Sequence, residues 1–327
     1  MNYNEALEMF EQLFNQKLSF DEAREFLIEL FNRGENYEEI AAATVVMRKH
    51  SIKLDLDESI KDKLIDNCGT GGDKSGSFNI STTVSIILAS GGLYVAKHGN
   101  RSITSKSGSA DMLEALGVNL NLNLEQEKEL LLKSGFTFLF AQRHHPCMSF
   151  IMPIRKSINH RTIFNILGPL SNPANVKKQF IGVFDKSFVP KICEALQLLD
   201  TKKAIVVSSH DGLDEISLSD NTTVGLLEHG ICSYFDLNPT QYGFKRYGLD
   251  DIKGGDANIN ATITKEILQN RLHGAYRDIV VMNASLAFLV GDVVNSIEDG
   301  VELASTLIDS GKCAEKLEQI IEVSNSI

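Results

Sequence analysis

The sequence predicts an α/β protein: a small all-helical unit joined to a larger α/β domain with a mostly parallel central sheet. Three observations predict it. Roughly the first sixty residues carry apolar positions at helical spacing and no strand pattern. Beyond them, short β-branched or aromatic runs alternate with helical stretches, the pattern of parallel strands crossed by helices. A chain of 327 residues with 43% hydrophobic content also supplies ample core for such a layout.

Taken in order, residues 1–62 form the helical unit. Ser19-Phe20-Asp21-Glu22 is a capping box ahead of Phe26, Leu27, Leu30 and Phe31, and Gly34 stops that helix. Asn36 and Glu39 cap the next, which carries Ile40 to Met47. The larger domain then predicts a strand over 93–96, a helix within 111–116, and a helix over 124–134 between the cap Asn123 and the stop Gly135. Strands over 136–141, 179–184 and 204–208 follow, with a helix over 190–199 between the last two. From Ile279 onward the chain is helical, punctuated by Gly291, Gly300 and Gly311. One stretch, RKSINHRTIFNILGPLSNP at 155–173, interrupts the alternation with a helical pattern. It is assigned back to the small unit, leaving 63–154 and 174–327 as the larger domain.

Composition removes several function classes. The formal net charge is −11, so non-specific binding to nucleic acid or to an anionic membrane is disfavoured, and a polyanion would need a local basic pocket. The five cysteines are scattered without a C-x-x-C pair, which argues against a disulfide framework or a zinc site and for a reducing compartment. The N-terminus lacks a basic segment followed by an apolar one, and no apolar run is long enough to span a bilayer. These features predict a cytoplasmic protein.

The segment DNCGTGGDKSGSFNIST, residues 66–82, packs four glycines among serines and threonines. Glycines allow positive φ and close backbone approach, and hydroxyls donate to anionic oxygens. Asn79 and Ser81 are candidate caps for a helix starting near Thr82, whose N-terminus would favour an anion. The loop therefore predicts a phosphate cradle. It is not a Walker A loop, because Ser77-Phe78 follows Gly76 where Lys-Ser/Thr is required. Nor is it a dinucleotide fingerprint, since Gly69-Thr70-Gly71 is followed by Gly72-Asp73-Lys74.

Two further clusters stand near strand ends. KHGNRSITSKSGSADMLEALG, residues 97–117, places four potential cations, Lys97, His98, Arg101 and Lys106, within ten residues, interleaved with hydroxyls. SSHDGLDEISL, residues 208–218, carries the adjacent acids Asp214 and Glu215, a pair suited to magnesium alongside phosphate oxygens. LDDIKGGD, residues 249–256, looks like an acidic pyrophosphate loop, but Lys245-Arg246-Tyr247-Gly248 precedes it in place of an apolar strand, so Asp250 and Asp251 are read as surface residues.

Together these pieces resemble the anthranilate phosphoribosyltransferases of tryptophan biosynthesis. The resemblance rests on GTGGD (69–73), FNIST (78–82), KHGNR (97–101), SKSGSADMLEALG (105–117), RTIFNILGPLSNPA (161–174), DGLDEIS (211–217) and GGD (254–256), in the family's order. It implies transfer of the phosphoribosyl group of 5-phosphoribosyl 1-pyrophosphate to anthranilate with release of pyrophosphate, the second step from chorismate to tryptophan. It implies Mg2+, and a homodimer formed through the small helical domain. Donor contacts are implied for Gly69, Gly72, Asp73, Ser77, Asn79, Ile80, Ser81, Thr82, Lys97, His98, Gly99, Asn100, Arg101, Ser105 and Ser109. Anthranilate is implied near Gly69, His98, Asn100, His145 and Arg155, and metal at Ser81, Asp214 and Glu215. Arg155 suits the acceptor carboxylate, because a guanidinium forks onto a carboxylate.

The chain departs from the family pattern in three places. The stretch between Leu18 and Glu39 is about one helix short, in the region that carries the dimer contact. His160 and Asn270 each stand where a glycine is usual. The competing readings are a pyrimidine-nucleoside phosphorylase of the same architecture and a non-catalytic nucleic-acid-binding relative. The first lacks its own signature near the basic loop, and the second is opposed by the charge of −11 and the intact motifs.

Overall fold

The computed structural model describes residues 1–101 and 106–327. Three helices open the chain: α1 (Tyr3–Phe14), α2 (Phe20–Arg33) and α3 (Tyr37–Lys49). Each begins with a reciprocal capping box, Asn2 with Glu5, Ser19 with Glu22 and Asn36 with Glu39, as two of them predict from sequence. A short helix α4 (Glu58–Lys61) then leads to the sheet.

The first strand, β1 (Leu64–Asp66), is followed by α5 (Ile80–Ser90) and β2 (Tyr94–Gly99). Next come α6 (Ser109–Leu116), α7 (Leu124–Ser134), β3 (Phe136–Phe140), α8 (Ala141–His144), α9 (Met148–Lys156) and α10 (Phe164–Leu170). The chain continues with β4 (Lys178–Gly182), α11 (Phe188–Leu198) and β5 (Lys203–Ser209), then the hairpin β6 (Thr222–Glu228) and β7 (Ile231–Leu237). It ends in α12 (Ala257–Leu268), α13 (Ala275–Val290), α14 (Ile297–Asp309) and α15 (Lys312–Ser326).

Seven strands form one sheet in the order β3-β2-β1-β4-β5-β6-β7. The first five are parallel, while β6 and β7 add antiparallel. Alternate residues feed opposite faces, as strand geometry requires. Phe180, Ile205 and Val207 pack under α5, α12 and α13, while Ile181, Ala204 and Val206 pack under α11 and the N-terminal helices.

Several expectations shift. The strand at 93–96 runs on to Gly99, because β2 pairs with β3 through Lys97, His98 and Gly99. The helical stretch at 155–173 resolves into the end of α9 and α10, separated by an irregular segment. The C-terminal helices begin earlier than Ile279, at Ala257 and Ala275. The three-residue β1 and the β6–β7 hairpin are absent from the sequence reading. β1 is too short to show a period, and β7 is mostly exposed on both faces, so it carries no apolar alternation. At 270, Asn takes φ 56°, a left-handed conformation that asparagine tolerates better than most side chains, so the glycine-like turn survives the substitution.

Residues of α1, α2, α3, α9 and α10 share one buried cluster with α11 and the back of β4 and β5. The last carbonyls of α10 are capped by side chains from three other elements. His98 Nδ1 lies 2.8 Å from the Gly168 oxygen, Gln179 Nε2 donates to the Pro169 oxygen at 2.7 Å, and Arg48 Nε donates to the Leu170 oxygen at 2.7 Å. A helix end that would otherwise hold orphan acceptors thus binds the helical segment to β2, β4 and α3.

Candidate active site

In the order 3-2-1-4-5 the chain winds away from the sheet centre in both directions, so the crevice beyond β1 and β4 is a topological switch point, where ligands of open parallel sheets bind. The glycine loop leaves β1 at this place. Thr70 N–H donates to the Gly182 oxygen at the end of β4 (2.8 Å), and the Thr70 hydroxyl accepts from Phe184 N–H (3.2 Å). Gly71 N–H donates to Asp214 Oδ2 at 2.7 Å, bringing in the loop after β5. Gly182 has no alternative residue, since a Cβ there would overlap the Asp214 carbonyl oxygen. Gly71, Gly72 and Gly76 all hold positive φ (65°, 79° and 70°), as predicted for a loop that must bring its backbone close to a ligand.

Charge on this side is dense and buried. Asp214 is pushed up to about 7, first by burial and then by the charge of Asp73. Glu215 is pushed well up by burial and by Asp214, partly offset by the charge of Lys97. Lys97 is buried, its Nζ 3.3 Å from Ser81 Oγ and 3.4 Å from the Asn67 oxygen. Asp66 follows Ile65, the partner of Val95, and so points to the opposite face, where it accepts from His98 N–H (3.3 Å) and Asn172 Nδ2 (2.7 Å); burial pushes it up to about 6, against the pull of Lys97. The N-terminus of α5 faces this cluster. Its first residue is Ile80, and Asn79 makes no side-chain cap, in contrast to the expectation for it and Ser81. Asn79 Oδ1 instead accepts from Asn260 Nδ2 (2.8 Å) and Ser107 Oγ (3.3 Å). The Thr82 hydroxyl is buried without a partner among the described residues, as is Asp73 Oδ2.

On the strand β2, His98 follows Lys97 and so projects to the other face. Its Nδ1 must carry the proton donated to the Gly168 carbonyl, which leaves Nε2 as an acceptor; that atom is buried and has no partner among the described residues. Burial, then the neighbouring His145, pushes His98 down to about 3. His145 stands edge-on to it, ring centroids 5.1 Å apart, and is pushed down to about 4 by burial. Both imidazoles are neutral at pH 7, which corrects the reading of His98 as one of four clustered cations. Arg155, on α9, is held below its ordinary value by burial; its contacts are Met152 Sδ at 3.6 Å and the ring of Phe164 at 5.6 Å. No carboxylate lies within ion-pair distance of it among the described residues, so its fork is open to an acidic ligand.

Other expected positions divide. Gly99 is required by close packing, since a Cβ would meet the Phe138 ring at 2.7 Å. Asn100, just beyond β2, is joined to the start of α6 beside Ser109 by Ala110 N–H donating to the Asn100 oxygen (3.3 Å). Arg101 is turned onto α6, paired with Asp111 (2.9 Å) and Glu114 (2.6 Å), so its charge is already compensated. Ser105 lies outside the described residues. Ser77 bridges to Lys253, and Gly254 N–H donates to the Gly76 oxygen (2.9 Å), so the GGD segment braces the glycine loop from behind. Asp250 and Asp251 are exposed, as read. The sequence reading left Asp66, Asn67, Asn172, Gly182 and Arg161 without roles. Asn172 and Arg161 lie inside the RTIFNILGPLSNPA motif, and Asp66 and Asn67 open the glycine-rich segment 66–82; those are the available signals.

The donor set suits magnesium. Among the described residues no three His, Cys, Asp or Glu side chains group as a complete metal cage. Two adjacent carboxylates, both driven toward protonation by burial and by a neighbouring carboxylate, Asp73 for Asp214 and Asp214 for Glu215, are instead what a Mg2+ ion shared with substrate phosphates would relieve.

Fold, switch-point loop and paired acids define a class of α/β protein built to hold an anionic, phosphate-bearing ligand beyond its central strands. Residues 61–314 match the glycosyl transferase family, a/b domain, and the chain belongs to that family. Within it, the chain belongs with the anthranilate phosphoribosyltransferases. It is 44% identical to the anthranilate phosphoribosyltransferase of Methanobrevibacter smithii, over 100% of this chain and 96% of that one. The same enzyme of Persephonella marina is 44% identical over 89% and 86%. Among solved structures, anthranilate phosphoribosyltransferase from Thermus thermophilus superposes with a TM-score of 0.93 at 35% identity, covering 100% and 96% of the two chains. The Saccharomyces cerevisiae enzyme in complex with PRPP and Mg superposes with a TM-score of 0.85 at 30% identity, covering 94% and 86%.

Proposed function

We propose that this protein transfers the phosphoribosyl group of 5-phosphoribosyl 1-pyrophosphate to the amine of anthranilate, releasing pyrophosphate, as the second step from chorismate to tryptophan. The observation that carries the reading is the convergence of GTGGD, the end of β2 and the Asp214-Glu215 loop on one switch point, with charge on one face of β2 and neutral imidazoles on the other.

The donor is polyanionic. Lys97, the open N–H groups at the start of α5 and the hydroxyls of Ser77, Ser81 and Thr82 offset its charge. Asp214 and Glu215, with Ser81, would hold Mg2+, which when bound neutralises charge gathering on the leaving pyrophosphate. Asp73, Gly69 and Gly72 shape the loop around it, and Asn100 and Ser109 border the ribose side. Arg155 holds the anthranilate carboxylate, and His98 Nε2 accepts a hydrogen bond from the amine. An arylamine is neutral near pH 7, so the chain supplies position and charge stabilisation rather than a strong base.

The small domain is proposed as residues 1–62 with about 155–173, the shared core of α1 to α3 with α9 and α10 supporting it. It is also the proposed dimer face, where Phe20 and Phe31 of α2 are 46% and 42% exposed. Light scattering on the purified chain tests this, a monomer refuting it. A cytoplasmic setting is proposed from the unpaired cysteines; no helix among the described residues is long and apolar enough to cross a membrane.

The deciding experiment follows anthranilate fluorescence on mixing protein, 5-phosphoribosyl 1-pyrophosphate and Mg2+, omitting each in turn. Loss of fluorescence that requires all three is expected. No loss with folded protein would remove the reading.

A further inference from the structure

Arg161 lies in the irregular segment that joins α9 to α10. Its guanidinium stacks on the Phe184 ring, 3.5 Å from Cζ to the centroid, just beyond β4. Its Nη2 donates to the Gly72 carbonyl oxygen in the middle of the glycine loop. Phe184 itself donates its backbone N–H to Thr70 of that loop. The neighbouring His160 Nδ1 donates to the Arg161 carbonyl oxygen (2.7 Å), and its ring stacks on Phe31 of α2 at 3.9 Å and 22°. A continuous set of contacts therefore runs from α2 through His160 and Arg161 to Gly72. No carboxylate stands within ion-pair distance of Arg161 among the described residues.

The glycine loop needs such a brace. Positive φ at Gly71, Gly72, Lys74 and Gly76 leaves it with little backbone hydrogen bonding of its own, and its ordering must be supplied by neighbours. Arg161 alone reaches it from the helical side among the described residues. We propose that Arg161 is a positioning residue: it holds Gly72 in the shape that receives the phosphoribosyl donor, and His160 on Phe31 ties that shape to the placement of α2. The inference rests on the transferase reading above. It adds a residue that governs donor affinity without touching the reacting atoms, and a route by which the helical unit and the donor loop move together.

The test is calorimetric titration of 5-phosphoribosyl 1-pyrophosphate with Mg2+ into the full chain, paired with steady-state kinetics. Arg161→Gln should weaken donor binding and raise its KM about tenfold, the size of one charge-assisted hydrogen bond, while the anthranilate KM holds within about twofold. Arg161→Lys, which can still donate to the Gly72 oxygen, should recover part of the loss. His160→Gly and Phe31→Leu should each weaken donor binding about two- to threefold, and the double variant should be no worse than either, as expected for partners in one contact. Unchanged donor affinity in Arg161→Gln, or both KM values rising together with a lower unfolding midpoint, overturns the positioning role. Additive losses in the double variant, or none in His160→Gly, overturn the link to α2. A wild-type chain that does not bind the donor overturns the transferase reading itself, a different result from a wild type that binds and variants that match it.

Discussion

The two faces of β2 answer burial in opposite ways. On the Lys97 face, carboxylates are driven up: Asp214 to about 7 and Glu215 well above its ordinary value. On the His98 face, imidazoles are driven down, to about 3 and about 4. Loss of solvation penalises the charged form in both cases. The difference is what can repair it. On the proposed reading, a divalent cation and a polyanion brought together would restore charge balance on the first face. The second face holds the two neutral imidazoles, with Asp66 held there by Asn172 and the His98 N–H, and on the same reading it would take one aromatic acid through Arg155. The alternation of a single strand therefore sets an electrostatic compartment around Lys97 apart from the imidazole pair.

The largest test of that separation is Asp214→Asn combined with Glu215→Gln. Turnover with Mg2+ should fall at least about 100-fold, the scale of losing preorganised charge stabilisation, with the anthranilate affinity little changed. Unaltered turnover across a metal titration would erase the electrostatic compartment.

Gly182→Ala attacks the same face through the backbone. The added methyl would overlap the Asp214 carbonyl, so the loop must shift, costing about 3 kcal/mol in urea unfolding and loosening the response to Mg2+. A stable variant with normal metal dependence would show that the two loops are not locked together.

Arg155→Ala probes the neutral face. Its removal should raise the anthranilate KM roughly 10- to 100-fold, a charged hydrogen-bond pair's worth, and leave the donor KM in place. Equal rises in both would deny that the faces are separate.

The smallest effect is in pH. A carboxylate raised in the native state, as Asp214 is, contributes stability below about pH 4 that is lost as pH rises toward 7. A histidine lowered in the native state contributes stability above its ordinary 6.5 that is lost as pH falls toward 4. Between about pH 4 and 6.5 Asp214 and the histidines thus have opposing slopes. The Asp214→Asn, Glu215→Gln variant should leave Asp66 alone against the two histidines and gain stability with pH more steeply than wild type, by up to about 1.4 kcal/mol per pH unit for each unbalanced proton. Parallel urea profiles for wild type and variant would break the comparison.

Capping boxes, helix stops and the alternation of strands with helices are local chemistry, and they placed α2, α3, α7, β3 and β5 within a few residues of where they lie. The phosphate role proposed for residues 66–82 rests on equally local chemistry, because glycine's permitted angles and hydroxyl donors belong to the residues themselves. Charge state was not. Lys97 and His98 read as neighbours in a basic cluster, and only the pairing of β2 between β1 and β3 sends them to opposite faces, one among oxygens and one against an apolar helix end. Arg101 looked like a ligand until α6 brought Asp111 and Glu114 to it. Arg161, Asn172 and Gly182 do their work on residues far away along the chain, at separations no spacing rule contains. The sequence by itself determined where most helices and the longer parallel strands form, though not the short β1 or the β6–β7 hairpin. Desolvation and long-range contacts, which exist only once the sheet has closed over its core, decided which of those side chains carry charge.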